Sequence, residues 1–200
     1  MRRAVFVLTI LCMVTVSFAQ QRATLSRGDQ ESLKRQAIQK VETFQGYCKT
    51  IADATIPFHK KTSSDGYIDV AMQDFLADAL IRITSLDGRN FTEKSVKSYL
   101  NRLALLSNRT YKEVNITSFD CSISADFVPD PNKGKDWYVG EVKVTQVFRA
   151  VRKGEYNIVV SDKVVRKTKV YAKRGSLIMN HRSVPYWDIK LGNITAKNID

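Results

Sequence analysis

The stretch YLNRLALLSNRTYKEVNI, residues 99–116, changes character in its middle. Up to Leu106 the apolar residues recur at three- and four-residue intervals: Val96, Tyr99, Leu100, Leu103 and Leu106. That spacing gathers them on one face of a helix. From Tyr111 onward the period falls to two and β-branched and aromatic residues become frequent, as a half-buried strand requires. The break divides the chain into a helical first half and a sheet second half, which is the order of an α+β domain.

Working toward the N-terminus, Thr92 reads as the cap of this third helix, following Asn90. Before it, Ile81-Arg82-Ile83-Thr84 alternates as a short strand does, and 70–80 reads as a second helix that buries Phe75, Leu76, Ala79 and Leu80. Ser63-Ser64-Asp65-Gly66 makes a loop, and Pro57 closes the region before it. Residues 29–54 form a long amphipathic helix, with Leu33, Ala37, Val41, Phe44, Cys48 and Ile51 on its apolar face.

Working toward the C-terminus, Val114 and Ile116 share one parity while Phe119, Cys121 and Ile123 share the other. One extra residue near Thr117-Ser118, a β-bulge, accounts for the switch. After a connection at Pro129, Pro131 and Gly134, one face of the next strand reads Tyr138, Gly140, Val142, Val144, Gln146 and Phe148. Glu141, Lys143 and Arg149 lie on the other face. A turn at Lys153-Gly154 leads to a strand from Tyr156, interrupted at Ser161-Asp162. The last strand carries Trp187, Ile189 and Leu191 on one face before Gly192 resets the register.

The most basic stretch is KVVRKTKVYAKR, residues 163–174. Side chains alternate across a strand, so the odd-numbered Lys163, Lys167, Lys169 and Lys173 share a face opposite Val164, Thr168, Val170 and Ala172. The bland account is a wet face that guards the strand against edge pairing. The functional account is a basic surface for an anionic envelope component. Arg166 breaks the pattern by falling on the apolar side.

The chain has 200 residues and a formal net charge of +12, which favours anionic partners. Arg2 and Arg3 precede an apolar run from Ala4 to Val16 and a small-x-small site, Ser17-Phe18-Ala19, the order of a signal peptide. We therefore expect 1–19 to be removed and 20–200 to form one exported domain, periplasmic or secreted, with no transmembrane segment after cleavage. Cys48 and Cys121 then remain, as a disulfide or as two free thiols. The two histidines, His59 and His181, have no partners at ligand spacing, so neither a metal site nor a cofactor is expected. GxSxG, HExxH and GxxxxGK[ST] do not occur. Aromatics do not interleave with the lysines as stacking on nucleic acid requires. Four NxT sequons, at Asn90, Asn108, Asn115 and Asn193, matter only in a host that glycosylates asparagine.

The order of elements resembles the nuclear transport factor 2-like superfamily, a cone of three N-terminal helices on a curved, bulged antiparallel sheet. The local signs are the Ile81–Thr84 strand, the passage at 99–116, VKVTQVF, SDKVVRKTKV and YWDIKLGNI. The resemblance implies a pocket between the first helix and the concave sheet face. By parity Phe44, Cys48, Tyr138, Gln146, Phe148, Arg166 and Trp187 line it, each of them also at home in a plain core. One reading is a non-catalytic binding module for a small apolar ligand or an envelope partner, with Gln146 and Arg166 orienting the ligand and a homodimer left open. The other is an isomerase or cyclase of the ketosteroid isomerase or polyketide cyclase type. It needs a buried carboxylate and an oxyanion donor, for which Asp120, Asp162 and Tyr138 are the available residues.

Overall fold

The computed structural model describes residues 25–84, 91–154 and 156–199; the expected signal segment 1–19 and sequon Asn90 lie outside them. Helix α1 (Arg27–Ala52) is followed by the short helices α2 (Phe58–Thr62) and α3 (Tyr67–Met72). Strands β1 (Leu80–Thr84) and β2 (Phe91–Ser95) precede helix α4 (Val96–Leu105), which runs into a π-helical turn at Leu106–Thr110. Four long strands complete the chain: β3 (Tyr111–Pro129), β4 (Trp137–Arg152), β5 (Val159–Met179) and β6 (Arg182–Asn198). They form one sheet in the order β2-β1-β6-β5-β4-β3. The α+β class is as read from the sequence, with helices packed on a bulged sheet. No helix among the described residues is long and apolar enough to cross a membrane.

Helix α1 starts where its sequence provides a cap: the Ser26 hydroxyl accepts a hydrogen bond from the Asp29 amide at 3.1 Å, and Asp29 places a negative charge in the first turn. Its stripe of Leu33, Ala37, Val41, Phe44, Cys48 and Ile51 is fully buried against the inner faces of β3 to β6. The expected alternation holds along β4 and β5. Tyr138, Val142, Val144, Gln146, Val164, Arg166, Thr168, Val170 and Ala172 point inward, while Lys163, Lys167, Lys169 and Lys173 point to solvent.

Several local expectations are corrected. The second helix does not extend over 70–80. It ends at Met72, because the backbone at 74–76 bonds to β6 instead of continuing the helix: Leu191 N–H donates to Asp74 O at 2.7 Å and Leu76 N–H to Leu191 O at 2.8 Å. Ser95, not Thr92, caps α4, accepting from the Ser98 amide at 3.2 Å; residues 91–95 are instead an edge strand paired with β1. The register shift in β3 nearest the bulge read at Thr117-Ser118 falls between Phe119 and Ser122, at Asp120-Cys121, three residues later, with Asp120 at φ 55°. Strand β5 begins at Val159 and passes through Ser161-Asp162 without a break, since all of 159–173 pairs in register with β4. The sheet is mixed rather than wholly antiparallel: β1 runs parallel to β6, touching it at Ile81 and Ile194. Gly192 does shift the register, and a Cβ there would stand 2.4 Å from the Tyr171 ring.

Candidate functional site

Gln146 and Arg166 are diagonal neighbours on the inner face of the sheet, since Gln146 lies opposite Val164 and Val144 opposite Arg166. Arg166 Nε donates to Gln146 Oε1 at 2.7 Å, and Gln146 Nε2 donates to Gln45 Oε1 on α1 at 2.6 Å. Ser118 Oγ on β3 donates to the same Gln45 oxygen at 3.0 Å. Arginine offers only donors, so Gln146 must turn its oxygen toward Arg166 and its amide nitrogen toward Gln45. The relay thereby has one direction, and it ties α1, β3, β4 and β5 together at one point.

The relay leaves Arg166 incompletely satisfied. The residue is only 8% exposed, and its NH1 is buried without a hydrogen-bond partner. Among the described residues it takes part in no ion pair; its guanidinium lies 5.5 Å from the centre of the Tyr99 ring. Its field is felt nearby. Burial pushes the Cys48 thiol up to about 12 and Arg166 opposes that shift. The Tyr99 hydroxyl is likewise raised by burial, with Arg166 pulling the other way. Burial also raises the Asp162 carboxyl above its usual range, against the opposing pull of Arg166 and a hydrogen bond from the Lys163 amide.

Arg166, Gln146, Tyr99 and Asp162 border a hollow of about 280 Å³ between α4 and the β4–β5 face. The rest of its wall is mainly apolar, with Ile83, Leu103, Leu106, Phe148, Val160 and Val164. Tyr111 packs edge-to-face on Phe148 there, ring centres 6.0 Å apart. Of the seven residues expected in a pocket, Gln146, Phe148 and Arg166 line this one. Phe44 and Cys48 lie in the core under α1, where Phe44 packs on Phe75 at 4.8 Å. Tyr138 packs on Trp187 at 5.6 Å, and neither borders the hollow. Packed rings thus occupy the places of those four residues, and the hollow opens beside α4; a separate cleft of about 360 Å³ lies between α1 and the β3 bulge, lined by Gln45, Lys49, Ile116, Ser118, Asp120 and Val144.

Gln45, Tyr99 and Ser118 escaped the sequence reading. Gln45 carried the same signal as Gln146, a polar residue four positions after Val41 and three before Cys48 on a buried stripe. Asp120 is exposed at the β3 bulge and takes no part, and both cysteines are free thiols. The lysines of β5 stay on the outer face, where Lys167 pairs with Glu141 at 3.1 Å.

No family model and no curated protein matches the sequence. Among solved structures the chain is similar to one provisionally described as a scytalone dehydratase from Novosphingobium aromaticivorans. The identity is 8% and the TM-score 0.43, over 86% of this chain and 89% of that one. A likeness at that level says nothing about what this chain binds or does.

Proposed function

We propose that the protein is a binding module of the nuclear transport factor 2-like kind that takes a small molecule with an apolar body and an anionic head. The head lies against Arg166 and the body fills the hollow beside α4. The observation that carries this reading is the buried guanidinium with an unpartnered NH1 and no carboxylate paired to it. A buried guanidinium N–H left without an acceptor is costly; Asp162 borders the same hollow without bonding to Arg166, and a ligand carboxylate supplies the missing acceptor.

The test is calorimetric titration of the mature protein with 2-naphthoate, a flat apolar acid, and with its uncharged amide. Saturable binding of the acid is expected, weakened about tenfold or more in Arg166→Met, because a hydrogen bond to a charged group contributes about 1.5–3 kcal/mol. The amide should lose a similar factor. Equal affinity of the acid for wild type and Arg166→Met overturns the reading.

A catalytic reading is favoured by one observation, the raised carboxyl of Asp162 in the same hollow as Arg166 and Tyr99. Such a group accepts a proton from carbon while a cation or phenol holds the developing oxyanion. On this reading 2-oxo-4-phenylbutanoate exchanges its C3 protons for deuterium in the presence of the protein. Asp162→Asn abolishes the exchange and leaves binding intact. Exchange at the buffer rate excludes it for this probe.

We also propose that the protein works outside the cytoplasm, on the strength of Arg2-Arg3, the apolar run and the Ser17/Ala19 pair. The intact mass of the protein recovered from its host should correspond to 20–200. A mass that includes 1–19 counts against export with cleavage.

A further inference from the structure

The last rungs of β5 and β6 reach beyond the rest of the sheet. Strand β4 begins at Trp137, opposite Lys173, so from Arg174 to Trp187 the two strands form a ribbon with no third strand beside it among the described residues. Its turn is tight, with Asn180 and His181 at φ 49° and 61°, the backbone of a two-residue hairpin. Two-stranded ribbons are marginal in water, and this one carries apolar side chains at its end. Ile178 is 84% exposed, Met179 58% and Leu177 52%.

The order of side chains along the outer face is informative. Strand β5 keeps one parity from Lys163 to Met179, so Leu177 and Met179 share the face of the lysines. Leu177 lies opposite Val184, and two rungs inward Gly175 lies opposite Tyr186. A Cβ on Gly175 would come 2.4 Å from the Tyr186 ring, so the absence of a side chain there lets the ring lie across the ribbon. Two rungs further in stand Trp137 and Lys173, with Lys173 Nζ 5.7 Å from the Trp137 ring centre. Lys133 Nζ lies 4.8 Å from the same ring and 5.1 Å from that of Tyr171. On the paired rungs 173–179 and 182–188, Asp188 is the only carboxylate, against Lys173, Arg174 and Arg182.

Apart from Arg182, which stands opposite Met179 on the outermost rung, the face therefore runs from aliphatic at the tip, through aromatic, to cationic. A bilayer surface has the matching sequence of layers: acyl chains, a boundary where tyrosine and tryptophan settle, and phosphates that attract lysine. The dimensions agree. Leu177 and Met179 span two rungs, about 7 Å, the depth to which interfacial segments bury their apolar face. Lys173 stands about 13 Å behind Leu177, within reach of the headgroups through its long side chain.

We infer that the β5–β6 ribbon is a membrane-docking element: Leu177, Ile178 and Met179 enter the interface of an anionic bilayer, Lys133 and Lys173 face its phosphates, and Arg182, on the tip rung beside Met179, reaches back to them through its long side chain. A second copy of the chain is a poorer occupant, because copies of 20–200, which keep a formal net charge of +10 once Arg2 and Arg3 leave the +12 of the full chain, repel one another, whereas the same charge attracts an anionic surface.

The experiment is co-sedimentation of the mature protein with phosphatidylcholine vesicles, with and without about 30% phosphatidylglycerol, at roughly 0.15 M salt. Binding to the anionic vesicles is expected, about tenfold or more tighter than to the neutral ones. Leu177→Ser/Met179→Ser should lose about tenfold on anionic vesicles. Both substitutions lie on an exposed ribbon, so the melting temperature should stay within a few degrees of wild type. Lys163→Gln/Lys167→Gln/Lys169→Gln on the flat sheet behind the ribbon should keep its stability and lose less binding than Lys133→Gln/Lys173→Gln. Undiminished binding of the serine variant overturns the inference. So does wild-type protein that ignores both vesicles, or a dimer in sedimentation that the serine variant dissolves, which assigns the ribbon to a second copy.

Discussion

Gln146→Leu is expected to lower the unfolding free energy by about 3 kcal/mol and the melting temperature by roughly 6–12 °C. Gln146 accepts from Arg166 Nε and donates to Gln45, and both partners are buried. Leucine is close in size, so little packing is lost and the cost is electrostatic. Arg166 would keep its charge in the interior with Nε as well as NH1 unpartnered. Arg166→Met, by contrast, removes the charge and strands only the Gln146 oxygen, a neutral acceptor, so a loss of about 1–2 kcal/mol is expected. The double variant should lose about 2–3 kcal/mol, no more than Gln146→Leu alone and about 2 kcal/mol less than two independent losses would give. Urea unfolding of the four proteins measures this cycle. Additive losses would show that Arg166 is satisfied in some other way, and the case for a ligand at that position would weaken with it.

The second large effect is expected at Gly66. The residue sits in an ordinary extended conformation, φ −75° and ψ 171°, that alanine adopts freely, so any loss reports contact alone. A Cβ there stands 2.8 Å from Lys60 O and 2.9 Å from the Lys61 carbonyl carbon and oxygen. These are backbone atoms, and α2 is not free to withdraw. Lys61, fully buried, donates through Nζ to Asp53 O at 2.6 Å and to Ser107 Oγ at 3.1 Å. Ser107 in turn donates to Ala104 O at 3.0 Å, so one ammonium group links the end of α1 to the end of α4. Burial holds that ammonium below the usual lysine range, which makes any weakening of its acceptors more costly. Gly66→Ala should cost about 3 kcal/mol. Gly134→Ala, with open space where its Cβ would go, serves as the control and should change stability by less than about 0.5 kcal/mol. A Gly66→Ala variant as stable as that control would mean that the elbow between α2 and α3 gives way easily.

The amino-acid sequence determined what depends on near neighbours along the chain. The apolar stripe of α1, the change of period at 99–116 and the inward and outward parities of β4 and β5 follow from the 3.6- and two-residue repeats, and the structure keeps all of them. Parity also placed Arg166 on the apolar side and the four lysines in solvent. Where a long-range bond competes with a local preference, the sequence is silent. Residues 74–76 have helical spacing, yet their backbone bonds to Leu191, more than a hundred residues away; residues 91–95 precede a helix, yet they pair with β1. The position of the hollow is of the same kind. Periodicity says which face a side chain takes, while the volume left between faces depends on how rings from distant elements fit. Phe44 meets Phe75, and Tyr138 meets Trp187, so the space around those rings is filled, and the hollows lie beside α4 and between α1 and the β3 bulge. Only tertiary packing could decide that Arg166 would meet Gln146 but no carboxylate, because a salt bridge or its absence is a matter of a few ångströms between strands whose register no local pattern encodes.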